Sequence, residues 1–71
     1  MHEWYVTFDQ PKCVIRDWLI MMYPNLHLES SGYYAKDDHG NWVWRISIWD
    51  SSNRILFNQE DVYVQFVLAW Q

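Results

Sequence analysis

The stretch Trp42–Trp49, with the sequence WVWRISIW, gives the clearest strand pattern in the chain. Its side chains alternate between two faces with a period of two, which is typical of a β-strand with one buried face. The core face is predicted to hold Trp42, Trp44, Ile46 and Ile48. The opposite face carries Arg45 and Trp49, so these two residues are predicted to remain accessible beside the core.

Turn sequences flank this strand and connect it to two others. Residues 37–41 (DDHGN) and 50–53 (DSSN) have turn composition, and Gly40 can adopt a positive φ. The segment Leu26 to Lys36 is predicted to be one strand before the first turn, and Arg54 to Phe57 a strand after the second. Three consecutive strands joined by tight turns predict an antiparallel meander.

The N-terminal part predicts a strand followed by a helix. Glu3 to Phe8 alternates like a short strand, and Pro11 is compatible with the first turn of a helix that runs to Met22. Pro24 disfavours helical geometry in the residue before it, so the helix must end near Tyr23. This helix is apolar over most of its circumference. We therefore expect it either to be sandwiched or to meet a partner with its outer side.

The last segment, residues 59–71, fits two periodicities. Val62, Val64 and Phe66 begin an alternation that would suit a fifth strand, whereas Val62, Phe66 and Trp70 form a helical stripe. We favour the helix, because Glu60 and Asp61 would lie in its first turn, where the helix dipole stabilises acids. The predicted fold is a single α+β domain spanning residues 1–71. Its order is β-α-β-β-β-α, a mostly antiparallel four-stranded sheet with two helices on one face.

Composition limits the cellular setting. The only cysteine is Cys13, so no intramolecular disulfide can form, and a reducing compartment is expected. Cys13 itself is expected in a semi-buried core position. The chain starts without the basic and apolar regions of a signal peptide, and its longest apolar run, Trp18 to Tyr23, is too short to span a membrane. These features predict a cytoplasmic protein, in its own cell or in a host cell, without membrane attachment.

Charge and aromatic content point to a protein partner. The net charge is −4, and six Trp, five Tyr and three Phe are more rings than a small core readily hides. Exposed rings are enriched in protein interfaces. A negative net charge opposes binding to phosphate backbones and favours a larger protein with a basic surface.

Catalytic and metal-binding chemistry find little support in the sequence. The histidines His2, His27 and His39 are scattered, and none has the spacing of a metal site. Cys13 lies near a predicted helix start but has no identifiable base. No phosphate-binding loop or dinucleotide fingerprint is present. We therefore predict neither an enzyme nor a cofactor or metal site.

In size and composition, though not in any motif, the chain resembles the small acidic, aromatic-rich proteins with which phages and other mobile elements disable host defences, as anti-CRISPR proteins do. The resemblance implies an inhibitor that blocks a host defence or nucleic-acid-handling protein by covering its surface. The predicted binding residues are Trp49, Arg45 and Tyr33 on the sheet, with Asp37 and Asp38 as a charged rim. Two alternatives stay open: a homodimeric structural or adaptor domain, and a single-stranded nucleic-acid binder that uses the aromatic strand.

Overall fold

The structure is a computed structural model that describes residues 3–49 and 51–70. His2 and Asp50, which entered the predictions above, lie outside the described residues. The elements are β1 (Trp4–Thr7), α1 (Lys12–Met22), β2 (His27–Glu29), β3 (Tyr34–Lys36), β4 (Trp42–Ile46), β5 (Arg54–Phe57) and α2 (Glu60–Trp70). No helix in this part of the chain is long and apolar enough to cross a membrane.

The strands form one antiparallel sheet in the order β1-β5-β4-β3-β2. Both helices pack on the same face of it, because Ile15 and Leu19 of α1 join Val62 and Phe66 of α2 in a single core. The α+β fold class, the antiparallel meander and the two helices on one face are confirmed.

The sheet has five strands rather than four, because the segment Leu26 to Lys36 is not one continuous strand. The chain turns at Ser30–Gly32, where three consecutive residues have positive φ: Ser30 at 53°, Ser31 at 59° and Gly32 at 91°. A strand cannot continue through left-handed backbone. The segment therefore folds back on itself as the β2–β3 hairpin.

Two features favour glycine at position 32: the positive φ, and the close contact that a side chain there would make with Arg16. Experiment can separate them. A Cβ at Gly32 would lie 3.0 Å from Cδ of Arg16, whereas a Cβ at Gly40, whose φ is 82°, would meet no atom within 4 Å. We expect Gly40→Ala to lower the free energy of unfolding by about 1 kcal/mol through the backbone alone. We expect Gly32→Ala to cost about 2 kcal/mol because Arg16 must also move. Urea denaturation measures both, and equal losses would contradict the steric part of the explanation.

The core lies between the helices and the sheet. Trp44, Ile55 and Phe57 are completely buried at its centre, and Phe66 packs its ring against Phe57 with centroids 5.2 Å apart. The buried apolar side chains of the described chain form one cluster: Ile15, Leu19, Ala35, Val43, Trp44, Ile46, Ile55, Phe57, Val62 and Phe66. The prediction that Trp44 and Ile46 face the core is thus confirmed.

Two other core predictions for this strand are wrong, and a β-bulge explains the first. Ala35 pairs with Trp44 but Lys36 pairs with Trp42, so Val43 is an extra residue in the ladder. The bulge buries both Val43 and Trp44 and turns Trp42 to the opposite face, where it is half-buried. Ile48 lies beyond the end of β4 and is 42% exposed.

Both helices follow the sequence closely. The first begins one residue later than predicted, at Lys12, and ends where predicted, with the Tyr23 amide donating to the Leu19 carbonyl at 2.9 Å. The last segment is a helix, as favoured, with Glu60 and Asp61 in its first turn. The helix forms because its apolar stripe can be buried against the sheet that the five preceding strands complete.

Candidate functional site

The sheet face opposite the helices is the most distinctive surface of the domain. Alternation along the strands places Ile55 and Phe57 of β5 in the core, so Arg54 and Leu56 point to the other side. Both helices pack on the core side, which leaves this side uncovered by either of them. We call it the open sheet face, and its side chains are Tyr5, Thr7, His27, Glu29, Tyr34, Lys36, Trp42, Arg45, Arg54 and Leu56.

The strand register aligns these side chains across the whole sheet. Tyr5 on β1 pairs with Leu56 on β5, Leu56 with Arg45 on β4, Arg45 with Tyr34 on β3, and Tyr34 with Glu29 on β2. Directly paired residues on one face lie about 4.5–5.5 Å apart. One continuous row of alternating aromatic, apolar and charged side chains therefore crosses all five strands.

Each aromatic ring of the open sheet face lies beside a cation. The guanidinium or ammonium group sits 5–6 Å from the ring centroid, the range of cation–π attraction. The three pairs are Arg45 with Trp42 at 5.0 Å, Arg54 with Tyr5 at 5.9 Å and Lys36 with Tyr34 at 5.7 Å. These contacts hold the rings and the charges side by side on the exposed face.

The charges of this face are unevenly neutralised. Lys36 forms an ion pair with Glu29 at 3.3 Å, near the β2 edge. Arg45 and Arg54 form no ion pair with any described residue. The part of the open sheet face made by β4 and β5 is therefore positively charged, although the whole chain has a net charge of −4.

Trp49 lies at the border of this face, just after β4, and is 90% exposed. A shallow depression of about 240 Å³ runs beside it and is lined by Arg45, Arg54 and Leu56, among others. The structure thus brings Trp49 and Arg45 to the same surface, as the sequence predicted.

Tyr33 reaches the same surface from its edge. It precedes β3, its ring is stacked with the guanidinium group of Arg16 of α1 at 5.0 Å, and it lines a shallow depression of about 210 Å³ together with Arg45 and Trp49. The tyrosine that pairs with Arg45 is Tyr34. The turn at Ser30–Gly32 interrupts the alternation of faces between β2 and β3. A pattern that starts at Leu26 therefore cannot predict which tyrosine pairs with Arg45.

Asp37 and Asp38 do not act together. The Asp37 carboxylate accepts hydrogen bonds from the amides of His39 and Asn41, at 2.9 and 3.0 Å, and so stabilises the β3–β4 turn. The Asp38 carboxylate is exposed and lies 3.0 Å from Nε2 of His27. Asp38 is therefore the member of the pair that is available for contacts at a rim.

The outer side of the helical layer is a second surface, with the opposite charge. The outward stripes of α1 and α2 place large apolar side chains next to carboxylates, and Met21 and Leu68 are 68% and 76% exposed. We call this the helical surface, and its residues are Val14, Asp17, Met21, Asp61, Val64 and Leu68. The helices run side by side here, since the Tyr23 hydroxyl donates to Oε1 of Gln65.

Electrostatics on the helical layer follow from these neighbours. Two causes raise the pKa of Tyr23 above its ordinary value: partial burial, which is the larger, and the negative charge of Asp61. The hydrogen bond from Nε of Arg16 to Asp17, at 3.1 Å, raises the pKa of Arg16. Lys12 donates to the carbonyl oxygen of Ser47. Of the two cations of α1, Lys12 thus extends toward the sheet, whereas Arg16 pairs with Asp17 of the helical surface.

Residues that could support catalysis lie apart. Cys13 is exposed in the first turn of α1, so its predicted core position is wrong, because the stripe that enters the core is Ile15 and Leu19. A cleft of about 290 Å³ between the end of β1 and the second half of α2 contains a single carboxylate, Asp9. In residues 3–49 and 51–70 no group of three or more His, Cys, Asp or Glu side chains is placed to hold a metal ion.

Comparison with known proteins adds no assignment: no protein-family model, no curated protein and no solved structure matches this chain.

Proposed function

We propose that this domain is a protein-binding module that acts by covering the surface of a larger protein, and that the helical surface makes the contact. The observation that carries the proposal is the exposure of two large apolar side chains, Met21 of α1 and Leu68 of α2, on helices that also carry exposed carboxylates. Small monomeric domains seldom expose several large apolar side chains on one surface unless that surface binds something.

The charge of the helical surface defines the partner. Glu60 and Asp61 are exposed carboxylates of α2, which contains no cation in its described part, whereas Asp17 of α1 is paired with Arg16. A protein with a basic surface complements this charge, and the attraction would speed its association. In many proteins such a surface binds nucleic acid, so covering it would inhibit a nucleic-acid-handling protein.

A second copy of this chain is a poorer match for the same surface. In a symmetric dimer the same patch meets itself, so the Glu60 and Asp61 carboxylates of both copies would lie in one interface. Like charges at a contact oppose association. Self-association is therefore one of the results that the capture experiment must distinguish.

The test is affinity capture from the lysate of the native host with four tagged proteins of verified fold. Leu68→Lys and Met21→Lys introduce positive charge into the helical surface. Arg45→Ala and Trp49→Ala are the matched controls on the opposite side of the domain. We expect a stoichiometric partner with a basic surface that both lysine variants lose, by at least about 100-fold in affinity, and both controls retain.

Three results would contradict the proposal. Loss of the partner in Arg45→Ala and Trp49→Ala, but not in the lysine variants, would place the protein contact on the open sheet face. Recovery of the chain alone, as a dimer by size-exclusion chromatography with light scattering, would indicate self-association. A captured partner without a basic surface would contradict the electrostatic argument.

A further inference from the structure

We propose that the open sheet face binds single-stranded nucleic acid, with bases stacking on its rings and phosphates meeting its arginines. This inference concerns the side of the domain opposite the helical surface and does not depend on the protein partner proposed above. The net charge of −4 opposes binding to phosphate groups, but the cations are unevenly distributed over the surface of the domain.

The cations of the chain are concentrated on this face. The sequence contains five Lys and Arg residues, and Lys36, Arg45 and Arg54 project from three adjacent strands onto the same surface. Arg45 and Arg54 have no carboxylate partner among the described residues. Each is therefore available to neutralise a phosphate, which is the main source of affinity for a nucleic acid strand.

The rings provide the second half of the site. Tyr5 is 66% exposed, and Tyr34 and Trp42 are half-buried on the same face. A base can stack on any aromatic ring whatever its identity, so such a surface binds with little sequence preference. The adjacent cations hold the rings and add cation–π attraction to a stacked base.

The arrangement fits a single strand better than a duplex or an acidic protein. In a duplex the base faces are stacked on each other and cannot reach a flat sheet. Carboxylates of an acidic protein would satisfy Arg45 and Arg54 but leave Tyr5, Tyr34 and Trp42 without stacking partners. Unpaired nucleotides use the cations and the rings together.

The carboxylates near this face limit the expected affinity. Glu29 already neutralises Lys36, and Asp38 lies at the same edge beside His27. With two or three phosphates neutralised, the logarithm of the binding constant should fall with the logarithm of salt concentration with a slope of about −1.5 to −2. Binding should then weaken about tenfold between 50 and 200 mM NaCl.

The experiment measures fluorescence anisotropy of labelled dT12 and rU12 at 50 mM NaCl. The wild-type chain should bind them saturably with this salt dependence, and more tightly than a duplex of equal length. Tyr5→Ala should weaken binding roughly five- to 100-fold, the range for loss of one stacked base. Tyr5 is largely exposed, so this variant should fold even if a substitution at Trp42 does not.

Charge-matched variants separate the site from general electrostatics. Arg45→Ala should weaken binding about fivefold or more, and Arg45→Ala combined with Arg54→Ala should reduce the slope to no steeper than about −0.7. Arg16→Ala removes the same charge from the helix side and should change affinity less than about twofold.

Four outcomes would overturn the proposal: no binding at 50 mM NaCl, equal weakening by Arg16→Ala and Arg45→Ala, equal affinity for the duplex, or no effect of Tyr5→Ala. A fifth is binding of labelled polyglutamate as tight as that of dT12, which would make the face a site for acidic protein segments.

Discussion

Replacing Trp44 with alanine is expected to remove a large part of the free energy of unfolding of the domain. Trp44 is completely buried, and it lies in the ladder between Ala35 of β3 and Phe57 of β5, at the centre of the core. Removing a buried tryptophan side chain costs about 3–5 kcal/mol. A domain of this length has a total stability of about 4–11 kcal/mol, so the loss is a large part of the total.

The matched control is Trp49→Ala, which removes the same side chain five residues further along. Trp49 is 90% exposed and lies outside the core, so its loss should change the free energy of unfolding by less than about 0.5 kcal/mol. Urea denaturation followed by far-UV circular dichroism compares the two variants directly. Similar losses in both variants would contradict the assignment of Trp44 to the centre of the core.

The contrast between these tryptophans could be predicted from the sequence, but the position of Trp42 could not. Alternation along β4 correctly predicted a buried Trp44 and an exposed Arg45. It failed at Trp42 because Lys36 of β3 pairs with Trp42 instead of Val43, which leaves Val43 as an extra residue in the ladder. A single strand does not contain the information on where its neighbour forces a bulge.

The candidate binding surfaces were predictable only in part, for a similar reason. Arg45 and Trp49 could be identified because both lie near one strand. The concentration of Lys36, Arg45 and Arg54 depends on the register of three strands, and the net charge of −4 conceals it. Net charge is a property of the whole chain, whereas a ligand contacts only one of its surfaces.

The last segment shows where periodicity alone cannot decide. Val62, Val64 and Phe66 would share one face of a strand, and Val62 and Phe66 also share one face of a helix. Contact with the core distinguishes the two, since Val62 and Phe66 are buried whereas Val64 is 42% exposed. Val64 is thus the residue whose environment differs most between the two structures.

This difference supports a prediction about two valines. In the helix, Val62→Asp places a carboxylate among apolar side chains, since Val62 is only 5% exposed. An unpaired buried charge of this kind should lower the free energy of unfolding by more than about 3 kcal/mol. Val64→Asp points into solvent from the same helix and should change stability by less than about 0.5 kcal/mol.

Thermal and urea denaturation of the two variants, at the same pH and salt concentration, measure the contrast. Both substitutions make the same chemical change two positions apart, so helix propensity and net charge are matched. A strand would place both valines on one buried face, and the two aspartates would then be equally destabilising. A large loss at Val62 with little change at Val64 is the result expected of a helix that contributes Val62 and Phe66 to the core and presents Val64 on the helical surface.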